Sequence, residues 1–246
     1  MAWNPYRAFE QDYTKYTAQD QLVWATLFER QIKYLHNHAC DSYLNALEHV
    51  GLHPHAIPRM HDLNALLQKT TGFQLKVVPE IQPNAVFMEH LANRTFTATA
   101  WLRSLESLDY ISEPDMFHDV FGHTPLLAEQ TFANFFHHFG LLGQKYIDHP
   151  RAIELLGRVY WFTIEFGLVQ ESGQTKIYGA GLISSHGESK HCFSHSVVHQ
   201  PFDIAAIMAT EYNNTVMQNH YFVLPHFNKL LESLPEMEKI VQMAIN

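Results

Sequence analysis

The residue that most constrains this 246-residue chain is one carboxylate, Glu165, in the run Tyr160-Trp161-Phe162-Thr163-Ile164-Glu165-Phe166-Gly167-Leu168-Val169. Read as part of a helix over Ala152 to Val169, the run carries apolar residues on every face, so Glu165 has no solvent side. An ionised carboxylate in such surroundings is costly unless it is paired, hydrogen-bonded or bound to a metal. No Lys or Arg lies within one turn of it. A raised pKa, a distant arginine or a cation held jointly with other residues are the ways out.

The segment Phe117-His118-Asp119-Val120-Phe121-Gly122-His123-Thr124-Pro125-Leu126-Leu127 offers such residues. Its two histidines are five apart, and on a continuous α-helix five steps turn ~140° beyond a full circle. Gly122 and Pro125 predict a helix break that lets His123 swing towards His118. The chain has 18 histidines, so a close pair alone is weak evidence, and two hydrogen-bonded core histidines explain it equally well. Two imidazoles and a carboxylate on one face match the donor set of iron(II) oxygenases. Zinc accepts the same donors, with Asp119 or Glu113 as the base of a hydrolytic site. Phe117, Phe121, Trp161, Phe162 and Phe166 predict a water-poor aromatic pocket.

The remaining composition excludes several classes. A formal charge of -9 argues against nucleic acid or an anionic membrane as the main partner. Cys40 and Cys192 form neither a disulfide framework nor a CxxC motif, and no signal peptide or ~20-residue apolar span is present, so the reading is cytoplasmic. Without repeats or Gly/Ser-rich linkers, residues 1–246 are expected to form one domain, mainly α with a few short β-strands (α+β). Periodicity and capping residues predict helices from Thr17 to Leu35, from Asp41-Ser42 to just before Gly51, over Met60 to Lys69 and over Asn84 to Asn93. Ser112-Glu113-Pro114-Asp115 starts another, which resumes after Pro125 through Phe139. Glu171-Ser172-Gly173-Gln174 is expected to end the helix that carries Glu165. Strands are expected at Phe73 to Val78, Thr95 to Leu102, Lys176 to Ile183 and Val216 to Leu224, and a helix broken at Pro235 follows.

The run Glu113 to Leu126, the helix Tyr160 to Leu168 and the stretch Tyr178-Gly179-Ala180-Gly181-Leu182-Ile183-Ser184-Ser185 resemble, in order and spacing, the aromatic amino acid hydroxylase family, especially its short bacterial phenylalanine 4-hydroxylases. The resemblance runs from about Val78 to Val223. It implies that His118, His123 and Glu165 ligate iron(II). It implies a tetrahydropterin (tetrahydrobiopterin or similar) stacked on Phe87, with Asp119 and Tyr160 near it. Arg103 falls where the family grips the substrate carboxylate, a task suited to a guanidinium fork. Pro114, Trp161 and Phe166 match the walls of the ring site, Gly181 a place of close approach, and Ser184 and Glu188 its supports. The implied reaction uses O2 as co-substrate and sends one oxygen atom to the pterin and the other to the ring.

Core packing for the aromatics and a solvated surface arginine for Arg103 are the plainer alternatives. Trp161 suits the phenylalanine and tyrosine branches. Asn214, Gln218-Asn219-His220, Ile111 and Ser112 depart from the family pattern, so another aromatic amino acid or ring position is the alternative to phenylalanine. No length is left for the family's regulatory or tetramerising parts, and a monomer or weak dimer is expected. A different class of reading makes His191, His195 and His199 a non-catalytic zinc site, but Pro201 and nearby Ser and Gly residues favour a solvated loop. His36/His38 and His53/His55 read as surface or turn residues.

Overall fold

Thr17 and Asp20 begin the first long helix by capping each other: the Asp20 N–H donates to Thr17 Oγ1 (3.2 Å) and the Thr17 N–H to Asp20 Oδ2 (2.7 Å). The computed structural model describes residues 9–109, 111 and 113–245. Helix α1 (Ala18–His38) buries Val23, Trp24, Leu27, Phe28, Gln31 and Leu35 along one stripe. Helix α2 (Asp41–Val50) ends on Gly51 at φ +71°, a left-handed cap that glycine adopts without penalty. Its N-cap is Cys40, which makes no side-chain cap, rather than Asp41 or Ser42.

Helix α3 (Met60–Thr70) leads to strand β1 (Gln74–Val77). Helix α4 (Asn84–Ala92) then returns the chain to β2 (Thr95–Ala98), parallel to β1. β2 is shorter than the expected Thr95 to Leu102 because the Thr99 N–H leaves the ladder for Asp119 Oδ2 at 2.7 Å.

The predicted interruption at Gly122–Pro125 does not occur. Met116 opens a helix that runs π-helically over Phe117–His123 and continues directly as α5 (Thr124–Leu127). Asp115 caps its start by accepting the His118 N–H at 3.1 Å, whereas the proposed cap Ser112 lies outside the described residues. The break comes after Leu127, and Glu129 caps α6 (Gln130–Lys145) through the Phe132 N–H.

α6 lies close enough to α4 that a Cβ on Gly140 would stand 2.3 Å from the Ala92 nitrogen. Helix α7 (Pro150–Tyr160) turns π-helical over Trp161–Glu165. The expected continuation to Val169 is instead β3 (Leu168–Glu171), joined to β4 (Gln174–Ile177) by Ser172 and Gly173 at φ +51° and +77°, a primed hairpin turn.

The extended segment expected up to Ile183 therefore stops at Ile177, and Ala180–Ser184 is helix α8. Then follow α9 (His186–His191), β5 (Val198–Pro201), α10 (Ile204–Ala209), β6 (His220–Leu224), α11 (Asn228–Glu232) and α12 (Leu234–Ile245). Pro235 sits in the first turn of α12, where its missing N–H costs nothing. The larger sheet has the order β4-β3-β6-β5, with β6 parallel to both neighbours. One apolar core extends from α1 to α12, and the chain is α+β with helices dominant. No helix among the described residues is long and apolar enough to cross a membrane.

Candidate metal centre and its pocket

The π-helical geometry explains how histidines five apart come to face the same point. Hydrogen bonding from i to i+5 widens the turn, so residues that a regular helix would splay are brought towards one side. His118 Nε2 and His123 Nε2 lie 3.2 Å apart. A second π-helical turn delivers Glu165, whose Oε1 is 3.2 Å from His123 Nε2 and whose Oε2 is 3.5 Å from His118 Nε2. Among the described residues this is the one group of three or more His, Cys, Asp or Glu side chains whose donor atoms all lie within 4.8 Å of one another. Bonds of about 2.1 Å to a shared ion put donors about 3.0 Å apart at right angles and about 3.4 Å apart in a tetrahedron. The trio fits a single cation.

The electrostatics call for one. Burial drives the His118 imidazole down to about 4, so it is a neutral donor near pH 7. Burial also pushes Glu165 upward, but His123, His118 and the Tyr160 hydroxyl outweigh it and hold the carboxyl at about 2. Glu165 thus keeps a buried charge, and among the described residues no Lys or Arg is ion-paired with it. Ser184 fixes the orientation of His118: its hydroxyl donates to the Ala180 carbonyl (2.8 Å) and therefore accepts from His118 Nδ1–H (2.9 Å), leaving the Nε2 lone pair free. Gly179 and Gly181 let this segment lie against the Glu165 carbonyl, with a Cβ on Gly181 only 3.0 Å from that oxygen and from the Phe166 ring.

An aromatic group flanks the trio. Phe87, half-buried on α4, packs edge-to-face on Tyr160 (5.2 Å) and Phe96 (5.5 Å), and Phe96 lies 4.6 Å from the His123 ring. The Tyr160 hydroxyl is hydrogen-bonded to Glu165. Asp119 accepts both the N–H and the hydroxyl of Thr99, and burial raises its carboxyl to about 7 against the Thr99 hydrogen bonds. Glu113, the other candidate base, is exposed.

Elsewhere Trp161 is fixed from three sides: Phe166 at 4.6 Å, Tyr212 stacked at 4.4 Å, and Gln218 Oε1 accepting its indole N–H at 3.1 Å. Arg103 is no surface arginine. Its side chain is 5% exposed, and Nε and Nη2 donate to Asp115 Oδ2 and Oδ1, each at 2.8 Å. Asp115 also holds the His118 N–H, so Arg103 and His118 share one carboxylate. Pro114, directly before it, is half-buried.

Glu188 accepts the Tyr221 hydroxyl at 3.2 Å. Asn214 is exposed, as is the whole stretch 211–217, whereas Gln218 is buried. Thr99 and Tyr212 were missed in the sequence, Gln218 was read only as a departure from the family pattern and Asp115 only as part of a helix start, although a buried Arg103 would have demanded an acid such as Asp115. The competing trio is dispersed: His191 closes α9, His195 lies exposed in a turn, and His199 is in β5 with Nε2 on the Cys192 carbonyl.

Fold and site together define a mononuclear centre of two histidines and one carboxylate, set among aromatic side chains on an α+β frame. Residues 5–245 match the family described as biopterin-dependent aromatic amino acid hydroxylase, and the chain belongs to that family. It is 42% identical over 224 residues to phenylalanine-4-hydroxylase of Chromobacterium violaceum, covering 91% of this chain and 75% of that one. A crystal structure of the Chromobacterium violaceum enzyme with bound iron(III) and 7,8-dihydrobiopterin matches with a TM-score of 0.91 at 40% identity, over 96% of this chain and 87% of the other. One with iron and phenylalanine bound matches with a TM-score of 0.88 at 38% identity, over 96% and 88%.

Proposed function

We propose that this chain is an iron(II)- and tetrahydropterin-dependent monooxygenase that converts L-phenylalanine into L-tyrosine. The observation that carries the reading is the convergence of His118, His123 and Glu165 beside Phe87 and Tyr160, in a chain of this family. Iron(II), when bound, supplies together with a reduced pterin the activation of dioxygen, one atom of which enters the aromatic ring.

His118, His123 and Glu165 would hold the ion between them, the donor set that iron(II) oxygenases use, and would leave it accessible to dioxygen. Phe87 and Tyr160 provide flat apolar surfaces for the pterin, and the buried Asp119 and Thr99 provide polar contacts at its edge. Arg103, preoriented by Asp115, keeps Nη1 for the substrate carboxylate. Trp161, Phe166 and Pro114 enclose the ring, Gly181 permits its close approach, and Ser184 and Glu188 brace this wall. Exclusion of water by these groups is the protein's main contribution beyond positioning.

The test supplies purified protein with iron(II), tetrahydropterin and oxygen, and measures products from phenylalanine, tyrosine and tryptophan separately. Tyrosine formed from phenylalanine, coupled to pterin oxidation, is the expected result. Pterin oxidation with no ring hydroxylation, or faster turnover of another amino acid, overturns the substrate assignment. Glu165→Ala should abolish iron content while a His191→Ala/His195→Ala double variant retains it, the reverse of what a histidine-loop metal protein would give.

A further inference from the structure

On the outer side of α9 lies a cleft of about 640 Å³ between that helix and α1, lined by Thr26, Glu29, Arg30, Lys33, Tyr34, His186 and Lys190. Arg30 spends only part of its fork on the protein: Nη1 donates to Asp109 Oδ1 and Nη2 to the Leu108 carbonyl, each at 2.6 Å. Its Nε–H is buried and has no partner among the described residues.

His186 is in the same position. Lys190 Nζ donates to its Nε2 at 2.9 Å, which puts the imidazole proton on Nδ1. That Nδ1–H is likewise buried and has no partner among the described residues. Burial and the nearby Lys190 and Arg30 charges lower the His186 pKa, in keeping with the neutral tautomer. Two orphan donors at one cleft are unusual, because a buried donor left without an acceptor loses its water and gains nothing in exchange.

The charge around them is positive although the chain carries -9. Arg30 is offset by Asp109, and exposed Lys33 and Lys190 outweigh the single remaining acid, Glu29. A bound acceptor with two oxygens would satisfy both orphan donors, and the two ammonium groups would balance its charge.

We propose that this cleft binds a small oxyanion, a carboxylate or phosphate, with Arg30 Nε–H and His186 Nδ1–H donating to its oxygens and Lys33 and Lys190 flanking it. The site is separate from the metal centre but joined to it by the chain. His186 follows Ser184, which orients His118, and Asp109 lies in the segment between Arg103 and Asp115. Occupancy would therefore tie together α1, α9 and the segment that carries the arginine.

Calorimetric titration of the iron-loaded protein with inorganic phosphate and, separately, with succinate tests this, with matched sodium chloride as the control for ionic strength. Saturable binding of either anion is expected, and comparison of the two tells which chemistry the cleft prefers. Lys33→Ala/Lys190→Ala, at exposed positions that cannot unfold the protein, should weaken it by about tenfold. His186→Phe should weaken it further while leaving Tm within a few degrees. Absence of saturable binding of both anions overturns the proposal, as does equal binding by wild type and both variants.

Discussion

The contact between α4 and α6 allows a sharp test of how the pterin side of the pocket is held. In Gly140→Ala the new methyl group would stand 2.3 Å from the Ala92 nitrogen and 2.6 Å from the Leu91 carbonyl carbon. Carbon contacts settle near 3.5–4.0 Å, so α4 must retreat by about 1 Å, because backbone atoms cannot turn aside as a side chain can. Overpacking of this kind costs about 1–3 kcal/mol, and a backbone clash belongs at the upper end. Alanine recovers about 1 kcal/mol over glycine within a helix. The net loss is about 2 kcal/mol, or about 4–8 °C in Tm for a chain of this size.

Phe87 rides on α4, so the same displacement should loosen its edge contact with Tyr160 and raise the KM for pterin more than that for the amino acid. Gly157→Ala is the control. Its methyl would meet only Asn84 Nδ2, at 3.4 Å, an ordinary van der Waals contact, so Tm should hold or rise slightly. Thermal unfolding and pterin kinetics on both variants decide the matter. A Gly140→Ala protein with wild-type Tm and wild-type pterin KM would refute the reasoning.

Three further outcomes follow from the site. Ser184→Ala removes the acceptor that orients His118, and iron affinity should fall about 10–100-fold in a competitive chelator titration, with Ser184→Thr recovering most of it. Asp115→Asn leaves the buried Arg103 uncompensated, a loss of about 3–5 kcal/mol, read as a fall in Tm of at least about 6 °C together with a raised KM for the amino acid. Burial raises the Glu188 carboxyl from 4.5 to about 7, so between these values the folded chain binds more protons than the unfolded one. Stability from this group is then full below about pH 4.5 and is lost as pH rises through about 7. Tm measured from pH 5 to 8 should decline more steeply in the wild type than in Glu188→Gln, where Asp119, likewise raised to about 7 by burial, still titrates.

Much of this architecture can be read from local signals. Thr17 and Gly51 marked helix ends, where the structure finds a capping box with Asp20 and a left-handed glycine, and the apolar stripe of α1 marked its buried face. Glu165 announced its need for a partner or a raised pKa, because no Lys or Arg within one turn could neutralise it. The departures lie where distant partners decide. Leu168 and Val169 looked like more helix, but they pair with Val223 and Leu224 of β6, which no local pattern reveals. Ile183 and its neighbours looked extended, yet Gly179 and Gly181 allow a helical turn to press on the Glu165 carbonyl. The Arg103–Asp115 pair was hidden because each residue, taken singly, is a plausible surface charge. The widened turns at His118 and Glu165 follow from hydrogen bonding that residue propensities do not encode.

Those widened turns also make the site sensitive to length rather than to composition. Removing one residue between His118 and His123 would give a spacing of four, which an ordinary α-helix already places on one face. The histidines would still look paired in an alignment. An i to i+5 turn holds one residue more than an α turn, so the shortened segment would close to ordinary α-helix, and Thr124, Pro125, Leu126 and Leu127, all buried, would stay close to their register on the core. What a deletion there changes is the relation of the two imidazoles to each other and to Glu165, so length at this turn bears on the site before it bears on the fold.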